Sequence, residues 1–202
     1  MKYIQLLENI KGPIFSLQDL KISGLKAFSS QLSLLADEKK VTRLKNGLYV
    51  IKSREDIIKP EAIAHSLYQP SYISLERALF HYGLIPEMVY GVTSVTPKTT
   101  RTFHNDFGQF IYRHIKKELF WGYRSVEVDN QFYLIAEPEK ALLDFLYFNR
   151  WRIKNEDDLV EMRFNPDLAT ILDQKRLADY LCLFADEKIE QLVSMLCSPS
   201  NK

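Results

Sequence analysis

The stretch from Phe15 to Lys52 restricts the fold more than any other part of the chain. Its spacing predicts a short helix, a turn, a longer helix and a two-stranded hairpin, the order of a winged helix-turn-helix. Ser16 is placed to cap a helix holding Leu17 and Leu20, with Phe15 before the cap as a staple. Ser23-Gly24 marks a turn. In the segment from Gly24 to Lys40, Leu25, Phe28, Leu32 and Leu35 recur at helical spacing and form one apolar face. The opposite face carries Lys26, Ser30 and Ser33, with Ser29 and Gln31 at its margins. Short and polar side chains let a backbone approach a DNA groove, and Ser and Gln bond to base edges or phosphates. Two β-like runs follow, Val41 to Lys45 and Leu48 to Lys52, joined by Asn46-Gly47, a strong two-residue hairpin signal. Arg43, Lys45 and Asn46 are then expected to meet phosphate from the wing.

Charge agrees with a basic reading head on an acidic body. Residues 1–54 hold 10 Lys and Arg against 4 Asp and Glu, and residues 55–202 hold 17 against 22, which leaves the whole chain at +1. Asymmetry of this kind is the electrostatic footprint of a nucleic-acid-binding segment. The two cysteines, Cys182 and Cys197, match no zinc or disulfide pattern and are expected to be buried or idle thiols. No apolar leader and no run of 18 apolar residues is present, so the expected location is cytoplasmic, with no membrane partner.

A first helix over residues 2–10, with Ile4, Leu7 and Ile10 inward, is expected to end at Gly12-Pro13 and complete a three-helix core. The charged run 53–59 before Pro60 marks a boundary between domains at 1–54 and 60–202. Helices are expected from Pro60 and over Leu75 to Tyr82, and β-branched and aromatic runs then predict five strands between about residues 89 and 136. From Pro138 onward the pattern is helical, including 155–163, 166–172, Gln174 to Phe184 and Asp186 to Leu196. The expected class is therefore α+β: an N-terminal winged helix-turn-helix, then a larger domain with a mainly antiparallel sheet flanked by helices and a helical C-terminus.

Chemistry-bearing residues in the second body are few. Four scattered histidines and no Cys-x-x-Cys or His-x-x-x-His spacing give no metal site, and seven glycines leave little room for a phosphate loop. Ser74, Asp144 and a histidine make a triad only on paper, and Ser74 reads most simply as an N-cap. Asp129, Glu137 and Glu139, with Lys140 and Asp144 nearby, are the residues a divalent-metal nuclease would use. Against that, Glu139 sits where a helix dipole favours a carboxylate, and Glu139 and Lys140 suit buried polar anchors. Lys98, Arg101, Arg113, Lys116, Lys117 and Arg124 lie on or beside strands and form a candidate second nucleic-acid face. No catalytic residue and no cofactor is assigned.

Two long phrases, Pro70 to Glu87 (PSYISLERALFHYGLIPE) and Ala136 to Asp144 (AEPEKALLD), together with Phe110 to Ile115 and Leu119 to Tyr123, add a resemblance. Behind a winged helix, they resemble the AbiEi-type antitoxins of bacterial abortive-infection systems, over nearly the whole chain to about residue 150. The resemblance implies a transcriptional autorepressor that binds inverted repeats in its own promoter. It also implies an antitoxin that counteracts a nucleotidyltransferase-like toxin without a stable complex. By position it assigns Lys26, Ser29, Ser30 and Gln31 to the recognition helix and Arg43, Lys45 and Asn46 to the wing. Two other classes stay open: a metal-dependent nuclease carried to DNA by the winged helix, and a ligand-sensing transcription factor without a toxin.

Overall fold

The computed structural model describes residues 2–26, 29–86 and 90–197. It is α+β, with two sheets. The first 51 residues run α1 (Tyr3–Asn9), β1 (Ile14–Ser16), α2 (Leu17–Ile22), α3 (Ser29–Asp37), β2 (Val41–Lys45) and β3 (Leu48–Ile51). Their three strands pair antiparallel in the order β1-β3-β2. Strand β1 was not expected: Phe15 lies within it and stacks on Tyr49 of β3 at 5.6 Å. Ser16 does cap α2, accepting from the Asp19 amide while its own amide donates to the Asp19 carboxylate.

Three expectations here are corrected. In helix α1 Leu6, not Ile4, is the fully buried residue: Ile4 is 66% exposed, while Leu7 packs partly buried on the small core and Ile10, just past the helix, is buried as expected. The longer helix starts at Ser29 rather than Gly24. Leu25 and Lys26 precede it in irregular chain, and Phe28 lies outside the described residues. The Asn46-Gly47 turn has positive φ at Gly47 alone (78°), and the pairing slips by one residue between Arg43 and Lys45. That bulge breaks the alternation: Arg43 stays opposite Tyr49 on the face of Val41, while Lys45 comes opposite Leu48 on the face of Leu44.

The slip matters because β3 is buried on both faces. Phe15, Leu20, Leu32, Leu35, Val41, Tyr49 and Ile51 belong to a small core beneath α1, α2 and α3. Leu44, Leu48 and Val50 join the large core of the second body. The chain between is one short 3-10 helix, Lys52–Ile57, with Gln131 clamping its exit: the Gln131 side chain accepts from the Lys59 amide and donates to the Ile57 carbonyl. Arg54 reaches back to the carbonyls of Leu7, Lys11 and Gly12 and so closes the end of α1.

The second body is a six-stranded sheet in the order β6-β7-β5-β4-β9-β8: β4 (Tyr72–Ile73), β5 (Gly91–Thr96), β6 (Arg101–Asn105), β7 (Gly108–His114), β8 (Tyr123–Val128) and β9 (Gln131–Ala136). It is mainly antiparallel, with parallel pairing of β4 to β9 and β5 to β7. The central strand β4 is a sixth strand beyond the five expected, and at two residues it has no periodicity of its own in the sequence. At the β8–β9 turn Asp129 and Asn130 both take positive φ, the mirror-image turn that the twist of a hairpin favours. Helices α4 (Pro60–Leu67), α5 (Leu75–His81) and α6 (Pro138–Asn149) pack on the sheet. They are followed by α7 (Glu156–Glu161), α8 (Leu168–Ile171), α9 (Gln174–Phe184) and α10 (Glu187–Cys197). No described helix is long and apolar enough to cross a membrane.

Helix α6 brings unusual cargo into this core: Glu139, Lys140 and Asp144 are all buried. Asp144 accepts hydrogen bonds from Tyr72 (2.9 Å), Ser74 (2.8 Å) and Lys140. The Lys140 ammonium also donates to the Tyr72 hydroxyl at 2.9 Å and lies over the rings of Trp121 and Phe184. Gly122 packs directly on it. With φ at 72°, a Cβ there would stand 3.0 Å from Lys140 Cγ. Gly122→Ala should therefore lower stability in urea denaturation by about 1–3 kcal/mol, from backbone strain and overpacking together.

Candidate nucleic-acid interface

The α2–α3 corner is built by local signals. Lys21 and Ser23 lead into Gly24 at φ 72°, and the Leu25 amide returns to the Leu20 carbonyl at 2.8 Å, which ends α2 sharply. From there α3 runs nine residues, a length of about 13 Å and close to the width of a major groove. Leu32 and Leu35 hold it on the small core, while Ser30, Ser33 and Leu34 are exposed on its outer side. Gln31 is half-buried at the margin. The Ser29 side chain lies outside the described residues. Lys26 is exposed in the segment leading to α3, one turn short of the helix it was assigned to.

The expected wing residues separate. Arg43 is exposed and donates to the Asn46 side-chain oxygen at 3.1 Å, which holds both at the hairpin tip. Lys45 does not join them. The bulge turns it toward the second body, where its ammonium donates to the Leu67 carbonyl at the end of α4. Lys45 is thus a correction: it is a joint between the two bodies. Its pKa is held below the ordinary lysine value, first by burial and then by Arg101 and Lys98 beside it.

The second cationic face is divided rather than continuous. Arg101 lies over the rings of Tyr68 and Phe103 at 5.7 and 5.3 Å, and Lys98 lies over Tyr68 at 5.5 Å, on the sheet face that Tyr112 shares. Arg113 is one residue on from Tyr112 and points to the other face, stacked on Phe148 of α6 at 4.4 Å. Lys116 and Lys117 are exposed on the 3-10 turn after β7. Arg124 on β8 is raised in pKa, first by its hydrogen bond with Tyr82. Strand alternation makes this division, and a basic-residue count along the sequence does not reveal it.

The enzyme-like constellation is also taken apart. Asp129 sits in the β8–β9 turn, at the opposite end of β9 from Glu137. Glu139 accepts from the Asp173 amide at 2.8 Å and faces Arg176 at 3.5 Å, which ties α6 to the start of α9. Glu137 accepts from the Tyr180 hydroxyl. Among the described residues no three His, Cys, Asp or Glu side chains converge as metal ligands would. Ser74 stands at the N-cap position of α5 but turns its hydroxyl to Asp144 instead of capping, and it is fully buried there. Cys182 is exposed and Cys197 half-buried, both as free thiols.

No protein-family model matches the chain, and no curated protein is similar to it in sequence.

Proposed function

We propose that the chain is a double-stranded-DNA-binding transcriptional autorepressor that is also the antitoxin of an abortive-infection system. Its first 51 residues act as a winged helix-turn-helix. The observation that carries the DNA reading is the disposition of α3, whose Leu32 and Leu35 fix it to the core while Ser30 and Ser33 stand free on the far side. The excess of cations in residues 1–54 supports the same reading. The contact set this favours is Ser30, Ser33 and Arg43, with Lys26 and Asn46 at its edges. The antitoxin reading, with a nucleotidyltransferase-like toxin as the partner, draws its support from the AbiEi-like phrases at 70–87 and 136–144. Those phrases meet in space, because the first supplies Tyr72 and Ser74 and the second Lys140 and Asp144 to one buried network.

The test is a gel shift of the full chain against its own upstream region across a salt titration. Selective binding that weakens as salt rises is expected, since phosphate neutralisation releases counterions. Ser30→Glu and Arg43→Glu should each weaken it by about tenfold or more, because each sets a negative charge against phosphate. Co-expression with the adjacent toxin gene separates the two roles. Both variants should lose repression of a promoter reporter and keep neutralisation, which belongs to the second body. Wild-type affinity in both variants would remove α3 and the hairpin from the interface.

A further inference from the structure

Three cations gather around the segment Leu67-Tyr68-Gln69, where the two bodies meet. Lys45 of the hairpin donates to the Leu67 carbonyl, and Lys98 to the Gln69 carbonyl. Arg101 lies over the Tyr68 ring at 5.7 Å. Beside the Tyr68 ring opens a cleft of about 670 Å³, lined also by Lys98, Thr99 and His114. No carboxylate pairs with Lys45, Lys98 or Arg101 among the described residues. Each lysine spends one of its three N–H donors on a carbonyl, and the Arg101 guanidinium spends none of its five on another described residue. Cations around one short segment repel one another, and an anion among them turns that repulsion into attraction.

We infer that this junction is a phosphate site, taking the phosphate of a soluble nucleotide or a backbone phosphate of bound DNA on Lys45, Lys98 and Arg101. Planar guanidinium and ammonium donors suit a tetrahedral oxyanion, and Lys98 also lines the adjoining cleft. Since Lys45 belongs to the hairpin and the other two to the β5–β6 region, occupancy fastens the reading head to the second body. The inference stands on the cation geometry and does not require the DNA reading.

The experiment compares the full chain with its Lys98→Gln/Arg101→Gln variant, both altered side chains being exposed and outside either core. Inorganic phosphate and then adenosine monophosphate are titrated by calorimetry, with chloride at equal ionic strength as control. Phosphate binding near millimolar Kd is expected in the wild type, about tenfold or more weaker in the variant. If the monophosphate also binds and DNA affinity is unchanged in the variant, the source is a soluble nucleotide. If the variant's salt slope on DNA falls by about 2, the source is the DNA backbone. A wild type that binds phosphate no better than chloride, with an unchanged DNA slope in the variant, overturns the site. A wild type that binds phosphate but no DNA would overturn the DNA reading and leave the site standing.

Discussion

Replacing Asp144 with alanine should destabilise the protein by about 3–5 kcal/mol at neutral pH, the largest single-residue effect expected outside the small core. Asp144 is fully buried and accepts from Tyr72, Ser74 and Lys140 at once. Its loss strands an ammonium in the core together with two hydroxyls. Burial already pushes Lys140 down from the ordinary lysine value of 10.5, and Asp144 is the group that holds it up. Without Asp144 the folded-state pKa falls further. The folded chain then binds fewer protons than the unfolded chain between that lowered value and 10.5, so the variant's stability rises with pH across this window. Urea denaturation at neutral pH and again near the ordinary lysine pKa should show the deficit shrinking. A second variant, Lys140→Met/Asp144→Ala, removes the stranded charge and should recover most of the loss. A double variant as unstable as the sum of its singles would show that the two groups do not depend on each other.

Phe15→Ala should cost about 3–5 kcal/mol by opening a cavity in the small core. Phe15 is fully buried and stacks on Tyr49 across the β1–β3 pairing. That core is small, so the loss falls on α1, α2 and α3 before it reaches the second body. In native-state hydrogen exchange the amides of these helices should lose protection while those of β5, β7 and β9 keep it. Under the proposed function, selective DNA binding should disappear with them. Strand β3 sets the limit of this separation, because its Leu48 and Val50 belong to the large core. Exchange that rises equally throughout would show one cooperative unit joined through β3.

Local signals in the sequence determined the elements. The Ser16 cap, the Ser23-Gly24 turn, Pro60 and Pro138 at helix starts, and the hairpin at Asp129-Asn130 all act within a few residues, so spacing alone exposes them. The α+β class, with a mainly antiparallel sheet and a helical C-terminus, follows from their order. The apolar run Leu48-Tyr49-Val50-Ile51 carried a further message: a strand without alternation is buried on both faces.

Tertiary structure decided where side chains point and which distant residues meet. A one-residue slip beside Lys45 is invisible in composition, yet it moves that lysine from the expected wing to the joint with the second body. Strand alternation set Arg101 and Arg113 on opposite faces of the sheet. Strand β4 is too short to show a period of its own, and it becomes the centre of the sheet only because β5 and β9 flank it. The Tyr72–Ser74–Lys140–Asp144 network closes across about 70 residues of chain. Spacing records what falls within one turn or one hairpin, and such a closure is a property of the packed core alone.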